Sequence, residues 1–491
     1  MTSRQRLALA LFVCAPLLGA AGDFLFQGRP IGINALLFSI AFVASLAILL
    51  RIGNVPMHQG RRLMVVPLVL FAGMLAWHDS PLLLATNLLA VAGAVALGAL
   101  RRSGGRLRAS EITDYVAGAA SAGAATFAGA IELMEKDLPW QRIGATVRSR
   151  RGAALGRGLA LSLPFLAVFG GLFLAADAVF RSLIVGAVPD LRHVWSHLLF
   201  AAGVAWLSAG LLRDLVASRD AERLVAPTAL TAGLPKIRLG SNEVAAALAA
   251  LNVLFLAFVI VQVRYLFGGQ GLVQARLHLT YAQYARHGFF ELVAVAVLVL
   301  PVLLVANAVV RERTRIVRSL SAFLVGLVFV VLVSALDRMR LYQREYGLTE
   351  LRLYATGLIL WLGVVLVWFG LTVVRGRPRA FAFGAILAGF AATVVLNAAN
   401  PDALIARTNL ARPHVDVAYL GRLSDDAVPG LLSRLPMLAQ PRRGALAAAL
   451  LRRNEAGGGL LGWNASRARA ERLLRDHRAE LLADAGENRL P

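Results

Sequence analysis

Apolar residues in this chain come in long unbroken runs, without the alternation of a half-buried strand or the single stripe of a surface helix. About 20 mostly apolar residues are needed for a helix to cross the hydrocarbon core of a bilayer. At that length the pattern predicts eleven spans, over residues 7–22, 31–50, 63–77, 82–100, 159–184, 194–216, 244–263, 289–310, 316–336, 353–374 and 381–397. The third and eleventh are short, as a tilted or partial crossing would be. The predicted fold is all-α: a polytopic transmembrane helix bundle with a small helical extracytoplasmic tail. The chain divides into a four-span region (1–100), a cytoplasmic or interfacial loop with an amphipathic helix (101–158), a seven-span core (159–397) and the tail (398–491).

Two segments complicate the count. Arg4 and Arg6 ahead of an apolar run give residues 1–22 the outline of a secretion signal, but further apolar runs follow at once, which favours a retained span. Residues 115–134 are long enough to cross, yet consist largely of Ala, Gly and Ser between two arginine clusters. A crossing would place one cluster outside, so this segment is read as a cytoplasmic or interfacial helix packing through small residues.

Composition strengthens this picture. Of 491 residues 58% are hydrophobic and only 16% charged, with mean hydropathy +0.67, which excludes an ordinary soluble enzyme. The net charge of +23 is not read as nucleic-acid binding, because its placement has a topological explanation. With the N-terminus inside, the loops after the even-numbered spans carry the arginines, among them Arg101, Arg102, Arg213, Arg311, Arg315, Arg375 and Arg377. Two of the opposite loops are poorer: 23–30 holds one arginine and 78–81 none. This bias predicts a multi-pass membrane protein with a cytoplasmic N-terminus and an extracytoplasmic tail. The lone Cys14 rules out a disulfide framework and a cysteine-based metal centre.

Ionisable groups near or within spans cost free energy and are functional candidates by default. Asp177 and Arg181 stand one turn apart at the end of the fifth span. Arg264 ends the seventh, and Tyr281, Tyr284 and Glu291 share a helical face leading into the eighth. The densest stretch runs from Asp337 through Arg340, Tyr342, Arg344, Tyr346, Glu350 and Arg352. There the ninth span continues past the hydrocarbon, Gly347 supplies a left-handed turn, and Thr349 caps the next helix. Two readings stand: an outer pocket in which arginine forks hold an anionic or amphiphilic ligand, or a salt-bridged hairpin with tyrosines at the headgroup level, the more ordinary arrangement. His193 and His197 share a face but lack a third ligand, so no metal and no cofactor are expected. Asn87, Asn252 and Asn307 read as helix-to-helix hydrogen-bonding groups. In the tail, Ser424 and Asn464 are candidate helix caps.

The stretches YAQYARHGFFELVAV (281–295), YQREYGLTELRLYA (342–355), NAANPDALIARTNLAR (397–412) and VDVAYLGRLSDDAVPGLL (415–432) resemble a bacterial membrane family catalogued as domain of unknown function 4173, with a related group numbered 4153. The resemblance implies a multi-span inner-membrane protein and carries no activity, substrate or catalytic residue. From the residues themselves, the expected function is non-enzymatic: binding of an anionic or amphiphilic ligand, or of an envelope protein partner, at the outer face. A transporter or lipid translocator is the alternative, and a membrane glycosyltransferase using Asp23 a more distant one. The lipid bilayer is the expected surroundings of the bundle. P-loop, HExxH and nucleophile-elbow signatures are absent from the sequence.

Overall fold

A computed structural model describes residues 2–57, 59–99, 112–138, 191–216, 239–267, 289–312, 314–453 and 459–487, with a few positions between 158 and 177. Every regular element among them is helical. The first group comprises α1 (Ser3–Phe26), α2 (Ile33–Ile52), α3 (Gln59–Met74), α4 (Pro81–Gly98), α5 (Ile112–Glu132) and α6 (Leu191–Val216). The second comprises α7 (Ser241–Phe267), α8 (Phe289–Val309), α9 (Arg315–Tyr346), α10 (Glu350–Phe369) and α11 (Arg379–Ala399). The tail holds α12 (Pro401–Leu410), α13 (Val417–Leu420), α14 (Val428–Arg434), α15 (Arg442–Leu451), α16 (Ala465–Asp476) and α17 (Arg478–Glu487).

Nine of the described helices are long and apolar enough to cross a membrane, and they coincide with nine of the eleven expected spans. The third expected span is a 16-residue helix, α3. The fifth, at 159–184, lies mostly outside the described residues. Large apolar side chains face outward on these helices, including Leu89, Val253, Val66 and Leu298. That is unfavourable in water and ordinary in lipid, so the chain is a multi-pass membrane protein.

Apolar packing makes two half-bundles. The first cluster joins α1–α6 and the second joins α7–α11. Small residues set the first. A side chain at Gly19 or Gly22 of α1 would collide with Ala201, Ala205 or Val204 of α6. The alanine- and glycine-rich α5 likewise crosses α6 where Gly129 meets Gly210, close enough that a Cβ on either would overlap backbone. Asparagines add polar glue. Asn87 of α4 and Asn397 of α11 exchange two amide hydrogen bonds, at 3.1 and 2.9 Å, and so tie the half-bundles together. Asn252 of α7 donates to the Leu320 carbonyl of α9 at 3.0 Å.

The two ends of the bundle differ. At the end holding Arg4, Arg213 of α6 bridges Glu132 at 2.6 Å and Asp137 at 2.7 Å, and Arg4 reaches Asp137 at 2.9 Å. Tyr115, near the start of α5, and Phe383, near the start of α11, both pack on Leu97 at the end of α4. The helical tail, with its own core around Ile405, Leu420, Leu431 and Leu446, caps the opposite end.

Candidate functional site

The tail is seated on three loops: between α1 and α2, between α3 and α4, and between α9 and α10. Its contacts with the third explain the dense stretch at 337–352. The last carbonyls of a helix have no partner within it. On α9, Arg412 of the tail donates to the carbonyls of Gln343, Arg344 and Glu345, at 3.3, 2.7 and 2.6 Å. Arg352 donates to those of Tyr346 and Gly347. Cationic donors there also oppose the negative end of the helix dipole. Gly347 turns the chain at φ +76°, and Thr349 caps α10 through Arg352 N. Asn409 then pairs with both backbone groups of Leu348, at 2.8 and 2.7 Å.

Several of the residues expected to hold a ligand are therefore engaged in holding the hairpin. The Arg352 guanidinium lies 4.0 Å from the Tyr342 ring centre and 5.8 Å from that of Tyr346, and the two rings meet edge to face. Arg340 and Arg344 remain exposed on α9, and among the described residues neither has a carboxylate partner. Asp337 is half-buried, whereas Glu291 and Asp177 are exposed. Arg264 sits near the end of α7. Arg181, Tyr281 and Tyr284 lie outside the described residues, so their grouping with Asp177 and Glu291 does too. Asp23 accepts from His197 Nδ1 at 2.8 Å, which joins the lone outer acid to one of the two spaced histidines.

Arg340 stands over a second feature. On α9, Phe329, Val333, Leu336 and Arg340 recur at helical spacing and form one stripe. The first three line an apolar groove of about 880 Å³ shared with Leu360, Val364 and Val367 of α10 and Leu387 and Ala388 of α11. Arg340 is one turn beyond its end. Deeper in the second half-bundle, Arg338 is buried and donates to Gln262 Oε1 at 2.8 Å, with Ser334 on the same oxygen at 3.1 Å.

The seat on the α3–α4 loop is polar and was not legible in the sequence. Asp426 of the tail is its hub. Its carboxylate accepts from His78 Nδ1 at 2.7 Å, Ser466 Oγ at 2.6 Å, the Asp79 amide at 2.8 Å and the Ser80 amide at 3.1 Å. The two amides immediately precede α4, so the carboxylate lies near the positive end of that helix dipole. Burial alone would raise the Asp426 pKa, but the bonds from His78, Ser466 and the Asp79 amide outweigh it and hold the carboxyl below its usual range. Asp79 goes the other way: burial pushes it up to about 6, with Asp425 adding to the rise and Arg467 opposing it. Asn464 caps α16, accepting from Ser466 N and Arg467 N, and also donates to the Leu75 and His78 carbonyls. Ser424 uses its hydroxyl on Asp402 at 2.5 Å rather than as a helix cap.

Beside this hub, Asp402 of α12 is fully buried, and burial pushes its carboxyl up against two bonds from Ser424. The Glu350 carboxyl stands within hydrogen-bonding reach of it, and the Ser80 hydroxyl faces both Asp402 and Tyr354. Among the described residues no group of three or more His, Cys, Asp or Glu is placed to hold a metal ion.

Three of the stretches that carry the sequence resemblance, 342–355, 397–412 and 415–432, thus meet one another at this seat. No curated protein and no solved structure matches the chain. A family model does match, over residues 65–433, a region that begins in α3 and ends in α14. It is that of the 4153 group; membership of the 4173 group is not shown. The matched region is most of the chain and takes in both the hairpin after α9 and the polar seat, so the chain belongs to the family defined by the domain of unknown function DUF4153.

Proposed function

We propose that this chain is a non-enzymatic bacterial inner-membrane protein that holds an anionic amphiphile at its outer face. The acyl or prenyl chain lies in the groove along α9, α10 and α11, and the phosphate or carboxylate head meets Arg340 and Arg344. The loops 23–30 and 78–81, with one arginine and none, support an outside position for this end of the bundle by the positive-inside bias, although the α9–α10 hairpin is itself rich in arginine. The observation that carries the reading is the α9 stripe, in which three groove-lining apolar residues lead into an exposed, unpaired guanidinium. A charge-assisted bond of this kind contributes about 1.5–3 kcal/mol, on the order of tenfold or more in affinity.

The test is lipid retention. Purified protein exchanged into mixed anionic and zwitterionic lipid is washed, and the retained lipid is identified by mass spectrometry. The expected result is enrichment of the anionic species, falling about tenfold in R340A/R344A while insertion is unchanged. Equal retention of both lipid classes by the unsubstituted protein sinks the proposal. A transporter or lipid translocator is the second reading, favoured by Arg338, because an arginine held inside a bundle marks a pathway more often than a scaffold. Flux across proteoliposomes, abolished by Arg338→Gln, separates it from simple binding.

A further inference from the structure

Five carboxylates surround the junction of tail and bundle, and three have a basic neighbour. Asp426 is bonded to His78 at 2.7 Å, Asp425 to Arg453 at 2.7 Å, and Asp79 lies 3.4 Å from Arg467. Asp402 and Glu350 have none among the described residues, although their carboxyls adjoin each other and Asp402 is fully buried. A buried charge without a counter-charge is costly, so Asp402, with the half-buried Glu350 carboxyl beside it, calls for a neutraliser.

The surrounding hydroxyls point to what supplies it. Ser80 Oγ, Tyr354 Oη and Asp402 Oδ1 are all buried and close no hydrogen bond, though Ser80 faces both of the others. Ser80 is 1% exposed, and its backbone amide, not its hydroxyl, is used by Asp426. Three unpartnered oxygens and a second carboxylate therefore lie together at the junction. Oxygen donors alone, with two negative charges, match a hard divalent cation. Calcium fits better than magnesium, because it accepts irregular oxygen shells completed by water, whereas magnesium demands a near-ideal octahedron.

We propose that Asp402, Glu350 and Ser80, with Tyr354 at the wall, form a calcium site that fastens the helical tail to the first turns of α4 and α10. The site is separate from the lipid groove, and either proposal can fail without the other. Calcium joins three segments that otherwise meet through a repulsive carboxyl pair. Its binding therefore stabilises the docked tail, and its removal loosens it.

The experiment uses the full chain in detergent, stripped with EDTA, with thermal unfolding and protease cleavage of the tail followed at constant ionic strength. Calcium at about 1 mM, the range of extracellular modules, is expected to raise Tm by roughly 2 °C or more and to slow cleavage. In Asp402→Asn the calcium response is lost, while Tm in EDTA is equal to or above that of the unsubstituted protein because one repelling charge is gone. Should that variant fail to fold, Ser80→Ala is expected to raise the half-saturating calcium concentration several-fold. Three results overturn the proposal: no response of the unsubstituted protein to calcium, with Tm rising only on acidification, which makes the neutraliser a proton; an equal response to any salt; or a calcium response that survives Asp402→Asn or is unmoved by Ser80→Ala.

Discussion

Asp426 and Asp79 are near neighbours in the same seat, yet pH acts on them in opposite directions. The lowered pKa of Asp426 contributes stability that is present above the ordinary carboxylate range and lost as pH falls through its folded value. The raised pKa of Asp79 contributes stability that is complete below its ordinary 3.8 and lost as pH climbs through about 6. Asp79→Asn is therefore expected to flatten the change in Tm between about pH 4 and 6 and to leave Tm at pH 7.5 equal or higher, as thermal scans across pH will show. Asp426→Ala strips partners from His78, Ser466 and the two amides just ahead of α4, and is expected to cost about 2–4 kcal/mol and expose the tail to protease. None of this was visible in the sequence, because His78 and Asp426 are 348 positions apart and each is an ordinary polar residue in a short connecting segment. The hairpin was visible as a cluster of charge, but charge density alone does not separate guanidiniums that satisfy carbonyls, such as Arg352, from those left open, such as Arg340.

Among helices, legibility followed the strength of the local signal. Long apolar runs marked the spans, and the caps at Thr349 and Asn464 and the turn at Gly347 follow from side-chain and backbone chemistry confined to a few residues. The small-residue character of α5 announced close packing without naming the partner, which is α6 at Gly210. A side chain there would meet the carbonyls of Ala125 and Thr126, both main-chain atoms that cannot swing aside. Gly210→Leu is expected to cost about 3 kcal/mol or more, seen as a lower Tm and a broadened size-exclusion peak, whereas the same change at Gly203, with open space around it, is nearly neutral.

For the molecule as a whole, Arg4 and the tail lie at opposite ends of the bundle, and the proposed topology sets them on opposite sides of the membrane. In a Cys14→Ser background, a cysteine at the exposed Leu460 is expected to react with an impermeant thiol reagent added outside intact cells, and one at the exposed Arg51 to react only after lysis. The tail also joins the chain's extremes: the amides of Ile33 and Asn34 donate to the carbonyls of Trp463 and Leu461, and Ala465 donates to Ala76. Contacts of such separation form late, since the intervening chain must be ordered before they bring any gain. During synthesis the loops after α1 and α3 leave the ribosome early and stay uncovered until residues 461–467 arrive, several hundred codons later. A message broken anywhere between therefore yields a product that is inserted but unsealed at that end, with its loop amides open to proteases that survey the membrane surface.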